Sequence, residues 1–218
     1  MTAAYSGTTI FLVTSFLIIW NLLVLHVFSR FFYNYTRRFE GVPAEYVGRK
    51  VVHVLGGGVT TLFIPVFYPG SYWVVVLAAF VLAGYVEFRR RWNPMHWFQI
   101  EENAYEVHFA IAYGGILAVG VLLGNVWIGL IPMLFMSFGD SATGLVRAFT
   151  QKRHRKSWDG TIAMFGVCTV IGYSRLGWYG IPLAMAASLV ERIPGIDDNI
   201  TIPILSAALV YIQPILLI

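Results

Sequence analysis

Long apolar runs separated by short polar or charged stretches set the pattern of this chain. The runs are Thr9–Phe31, Val51–Tyr68, Tyr72–Phe88, Ala104–Leu123, Val126–Val146, Gly160–Ser174, Gly177–Val190 and Ile200–Ile218. A helix crossing the hydrocarbon core of a bilayer needs roughly 20 apolar residues. The pattern therefore predicts an all-α, polytopic integral membrane protein with about eight transmembrane helices. The sixth and seventh runs are short, about 15 residues or ~22 Å each, against a core of ~30 Å. A single tilted helix through Arg175 is the alternative there, and it would carry Glu191–Asn199 to the opposite face. A re-entrant pair would leave the sidedness unchanged.

The connections alternate in kind. Pro69-Gly70-Ser71, Gly124-Asn125 and Arg175-Leu176 are tight turns, whereas Phe32–Lys50, Arg89–Asn103, Arg147–Asp159 and Glu191–Asn199 are longer and charged. With eight crossings, Arg175 alone of the 15 Lys and Arg falls on the side of the tight turns. Loops rich in Lys and Arg stay cytoplasmic. That assigns the charged end to the cytoplasm and both termini to the non-cytoplasmic side. It also favours two short helices over one tilted one.

Composition narrows the class further. The chain has 218 residues, 58% of them apolar and 12% charged, which leaves no separate soluble domain and predicts one transmembrane domain over residues 1–218. The stretch Met1–Thr9 lacks the basic region of a signal peptide, so the first run is expected to be retained. One cysteine, Cys168, excludes an intrachain disulfide and a cysteine zinc site. The net charge of +4 comes from loops rather than from a basic stripe with exposed aromatics, so nucleic acid is not an expected partner.

The chemistry-bearing groups collect at the charged end. Arg49, Lys50 and His53 share a helix face where the second run begins. Arg and Lys there also suit topological anchors. Asp140, Thr143, Gly144 and Arg147 share a face of the fifth run. Gly139 and Gly144 suit close helix packing, and Arg147 or another helix could satisfy Asp140. A carboxylate inside a span costs a few kcal/mol on insertion scales and marks a functional site by default. The loop that follows adds Lys152, Arg153, Arg155 and Lys156, and Ser157 or Asp159 could cap the next helix. Asp197, Asp198 and Asn199 precede the last run, where they could cap it or hold Mg²⁺ through hard oxygen ligands. Glu101 and Glu102 suit a helix N-terminus, Glu106 is expected deeper in the span with His108 close by, and none receives a role. Cations for phosphates and acids for a divalent metal at a membrane edge suit phosphoryl or nucleotidyl transfer onto a lipid. No Walker loop or protein-kinase signature is present.

These motifs resemble those of the membrane-bound CTP-dependent lipid kinases, the family of dolichol (polyprenol) kinase, phytol and farnesol kinase and CTP-dependent diacylglycerol kinase. The matching pieces are Arg49-Lys50-x-x-His53, Gly139-Asp140-Ser141-Ala142, Lys156-Ser157-x-x-Gly160-Thr161-Ile162-Ala163-Met164-Phe165 and Asp197-Asp198-Asn199-Ile200-Thr201-Ile202-Pro203. The resemblance implies CTP as donor, Mg²⁺ or another divalent cation, and a long-chain alcohol or diglyceride drawn from the bilayer as acceptor. It implies catalytic roles for Asp140, Lys156, Asp198 and His53, and metal ligation by Asp140, Asp197 and Asp198. Nucleotide binding would fall to Arg49, Lys50, Gly139, Ser141, Gly144, Arg147, Lys152, Ser157, Gly160 and Asn199. Arg147 and Asp159 depart from the family pattern, in which glycine often holds the first place and Glu or Ala the second. The expectation is CTP-dependent phosphorylation of an isoprenoid alcohol at the cytoplasmic face. One rival is a cytidylyltransferase making a CDP-lipid from a lipid phosphate, but the extended GHGG-type segment of the usual CDP-diacylglycerol synthases is missing. The other is a lipid transporter, which predicts midplane polar residues and a repeated pair of broken helices; no such repeat stands out.

Overall fold

The computed structural model describes residues 5–100, 102–150 and 156–216. Among the described residues the chain is helical and contains no strand. We label the helices α1 (Gly7–Thr36), α2 (Ala44–Phe67), α3 (Tyr72–Trp92), α4 (Tyr105–Leu122), α5 (Trp127–Thr150), α6 (Trp158–Leu176), α7 (Gly180–Glu191) and α8 (Asp198–Leu216). The first five are long and apolar enough to cross a membrane.

Local chemistry sets several boundaries. Ser157 caps α6, its extended backbone placing Oγ 3.4 Å from the Gly160 N–H. Asp197 caps α8: its Oδ1 accepts the Asn199 N–H at 3.0 Å. Gly177 ends α6 at φ 57°, a conformation that glycine adopts without penalty. The expected run Gly177–Val190 opens as a 3₁₀ turn over Gly177–Tyr179, and the helix proper has 12 residues, or ~18 Å. The single tilted helix through Arg175 does not form. Instead α6 and α7 make a hairpin so close that a Cβ on Gly180 would lie 2.1 Å from the Gly172 carbonyl carbon. That reversal returns Glu191 to the start of α6, where its carbonyl accepts a hydrogen bond from Lys156.

Helix α5 runs through the centre of the bundle, with 83% of its apolar window buried against 17% for α1 at the edge. Leu130, Ile131, Met133, Phe135 and Met136 of α5 meet Met164 of α6 in the core. Apolar side chains also cover the outside, among them Phe11, Leu77, Val81, Ile162 and Val170. Such a coat suits hydrocarbon rather than water. Three helices contain a π-helical segment: Val24–Phe28 in α1, Val52–Gly58 in α2 and Phe135–Gly139 in α5. These wider turns are often found at functional sites. Here one contains His53 and another directly precedes Asp140.

Candidate functional site

The starts of α2, α4, α6 and α8 meet the ends of α5 and α7 at one end of the bundle, and buried ion pairs join them. Lys50 of α2 donates from Nζ to Asp140 Oδ2 of α5 at 2.5 Å, both side chains 5% exposed. Arg147, about two turns further along α5, grips Glu191 of α7 with both guanidinium NH₂ groups at 2.8 and 2.9 Å. Lys156 sits 2.8 Å from each Asp198 carboxylate oxygen. Arg49 lies 2.8 Å from Glu106 Oε1 at the start of α4. The partner of Asp140 is thus a lysine 90 positions away rather than Arg147.

A cavity of about 360 Å³ opens among these groups, lined by Tyr46, Lys50, Asp140, Arg147, Lys156 and Asp198. Arg49, His53, Asp197 and Asn199 line it as well. The sequence-derived candidates therefore divide in two. Those just named share the cavity, whereas Gly139, Ser141, Gly144, Ser157 and Gly160 support its walls. Gly139 lets α6 approach: an added Cβ would lie 2.4 Å from Cys168 Sγ. At Gly144 an added Cβ would meet Lys50 Cε at 2.4 Å and Tyr46 Oη at 2.7 Å, so glycine gives Lys50 its path to Asp140. Gly160 leaves room for Arg147 Nε, and its carbonyl accepts from Thr143 Oγ1 at 3.0 Å. Ser141 Oγ donates to the Lys50 carbonyl at 3.4 Å, and Ser157 is the cap of α6. Lys152 lies outside the described residues, as do Glu101, Arg153 and Arg155.

Asp140, Glu191 and Asp198 each place a carboxylate oxygen within 4.8 Å of the other two. Hard oxygen donors of this kind are the ligands a divalent cation takes, and a small inward shift would bring these three within its reach. Asp197, expected as a metal ligand, stands apart from this trio. Its carboxylate accepts the Asn199 N–H and lies 2.5 Å from His108 Nδ1, because the cap of α8 claims it. The sequence places Glu191, an acid ending an apolar run, beside the Asp197–Asp198–Asn199 cluster without a role, and it offers no signal for Tyr46. Glu106, left without a role, is the partner of Arg49.

His53 is 1% exposed, its ring stacked on Phe109 at 3.9 Å between centroids. Nδ1 lies 3.5 Å from Asp140 Oδ2, and neither ring nitrogen has a hydrogen-bond partner. Its ring and the Arg49 side chain also line a second cavity of about 400 Å³. This one is apolar, enclosed by α1, α2, α3 and α4, with Leu17, Leu25, Val75, Ala79, Phe109 and Ala110 among its walls. A charged chamber and an apolar one thus share a partition formed by Arg49 and His53. No protein-family model, no curated protein and no solved structure matches this chain.

Proposed function

We propose that this protein is a membrane-embedded kinase that moves the γ-phosphoryl group of CTP to the hydroxyl of a membrane isoprenoid alcohol. The observation that carries the reading is the charged cavity. It gathers cations and carboxylates from α2, α5 and α8, with Lys156 just ahead of α6 and Glu191 of α7 held behind Arg147, beside a chamber suited to a lipid chain. Phosphoryl transfer depends chiefly on positioning and charge neutralisation, and this set of residues supplies both. The cytidine specificity comes from the motif resemblance alone.

In this reading Lys50, Arg147 and Lys156 leave their carboxylates to take phosphate oxygens, and Arg49 does so at the partition. Asp140, Glu191 and Asp198 would hold the metal. When bound, it supplies further neutralisation of the phosphates. Stacking on Phe109 holds the His53 ring beside the path of the acceptor. The hydroxyl oxygen forms a new bond to the γ-phosphorus, and the bond from that phosphorus to the bridging oxygen breaks, with its electron pair leaving on CDP. The hydroxyl proton passes to His53 or to a carboxylate of the cluster.

Eight crossings, with both termini on the non-cytoplasmic side and the charged cavity on the cytoplasmic side, complete the proposal. The meeting of even-numbered helix starts with odd-numbered helix ends supports it, as does the distribution of Lys and Arg. A cysteine placed at Arg192 should then react with an impermeant reagent only from the cytoplasm, and one placed at Trp178 only from outside. Equal labelling from one side would remove the topology.

The reaction itself is tested by incubating purified protein with γ-labelled CTP, Mg²⁺ and polyprenol, phytol, geranylgeraniol or diacylglycerol. Labelled lipid and CDP are expected. Labelled pyrophosphate released from CTP when a lipid phosphate is supplied as acceptor would establish cytidylyl transfer instead. No labelled lipid from any acceptor ends the kinase reading.

A further inference from the structure

The geometry points to the apolar cavity enclosed by α1–α4 as the seat of one acyclic chain of a long-chain primary alcohol, with its hydroxyl docked on His53. Three observations carry this. The first is the chemistry of the wall, which is chiefly apolar, with Thr14 and Asn21 of α1, Tyr85 of α3 and Tyr113 of α4 among the polar exceptions, and becomes charged where Arg49, His53 and Glu106 lie toward the charged cavity. A ligand filling it would have a hydrocarbon body and a small polar end.

The second is the polar end itself. At 1% exposure His53 turns Nδ1 toward Asp140 Oδ2 at 3.5 Å, while Nε2 has no hydrogen-bond partner, a costly state for a buried polar group. A hydroxyl both donates and accepts, so it can satisfy a ring nitrogen in either tautomer. Arg49, the cation at that end, already has Glu106 at 2.8 Å. The partition therefore offers an uncharged head group a partner with the Arg49–Glu106 pair intact, whereas an anionic head group would have to break that pair.

The third is volume. At ~30 Å³ per methylene-sized group, near the share of one water in the liquid, the cavity of about 400 Å³ holds at least about a dozen such groups. That seats the first two to three isoprene units of one chain. Longer chains must leave through the mouth near Val81, which lines the cavity while 74% exposed on the outer face of α3. The protein would read the head and the first units of the chain and leave the remainder in the bilayer.

The site rests on the lipid-kinase reading for its role, and its test separates the two. A photoreactive long-chain primary alcohol is added to the protein in lipid nanodiscs without nucleotide, and the labelled peptides are mapped. Labelling is expected on residues of the α1–α4 cavity such as Leu25, Val75 and Ala79. Farnesol should compete, and the matching alkane and dioleoylglycerol should not. Ala78→Trp, which fills the chamber, should cut labelling by farnesol-length probes about tenfold while sparing a ten-carbon probe less affected by the bulk. Val81→Trp, at an exposed position where folding is safe, should weaken only probes longer than about 15 carbons.

Label confined to the outer surface, or unchanged by Ala78→Trp in protein that still unfolds cooperatively, would overturn the site. So would a co-purified phospholipid in the cavity that the alcohol fails to displace. Cavity labelling without any transfer from CTP would remove the kinase and leave the site. Transfer from CTP with an unchanged KM for farnesol in folded Ala78→Trp would remove the site and leave the kinase.

Discussion

Glu191 and Asp197 show how a residue's partner decides its part. Glu191 holds Arg147 and belongs to the carboxylate trio, whereas Asp197 caps a helix and faces His108. Under the proposed function, Glu191→Gln should raise the Mg²⁺ concentration needed for half-maximal transfer by about tenfold or more. Asp197→Asn should change it far less, because an Asn side chain can still cap α8. Metal titrations of both variants check this. The Lys50–Asp140 pair gives a second prediction. Lys50→Met leaves a buried carboxylate unpaired and should cost about 3–5 kcal/mol of stability. Adding Asp140→Leu should restore most of that loss while transfer stays absent, as thermal unfolding and a transfer assay would report. Sequence alone singled out Lys50, Asp140, Lys156 and Asp198, since charge at the edge of an apolar run is conspicuous. It could not pair them. Their partners lie 42 to 90 positions apart, and only the packing of α2, α5 and α8 decides which cation meets which acid.

At the scale of elements, the α6–α7 hairpin delivers Glu191 to the site. Its crossing point is backbone on backbone between Gly172 and Gly180. Gly180→Ala would push a methyl group into the Gly172 carbonyl and the Tyr173 amide and should cost about 1–3 kcal/mol. Because α7 has only 12 residues, the shift would reach Glu191. We expect a lower unfolding temperature together with reduced transfer, and a variant with neither change would refute the account. Helical character and apolar runs were legible because hydropathy reports them directly. The π-helical segments at Val52–Gly58 and Phe135–Gly139 were not, since a widened turn leaves hydropathy unchanged. Those turns adjust the faces that carry His53 and Asp140, so simple helical spacing placed these residues only coarsely. The brevity of α7 was visible in outline, but the 3₁₀ turn at its start was hidden within an unbroken apolar stretch.

Across the whole molecule, the charged cavity is balanced pair by pair. Arg49, Lys50, Arg147 and Lys156 each face a carboxylate, so these four pairs together carry no net charge. An arriving nucleotide alone would draw off the cations and strand the acids. A metal ion alone would do the reverse. Only the two together match both halves, so each should tighten the other's binding by the same factor, about tenfold or more. Equilibrium binding of a fluorescent CTP analogue with and without Mg²⁺, and of Mn²⁺ with and without CTP, measures both arms of that cycle. Equal affinities in all conditions would refute it. If the factor is found, free Mg²⁺ would not occupy the chamber by itself, and under the proposed function uncomplexed nucleotide would be turned away before any lipid is committed.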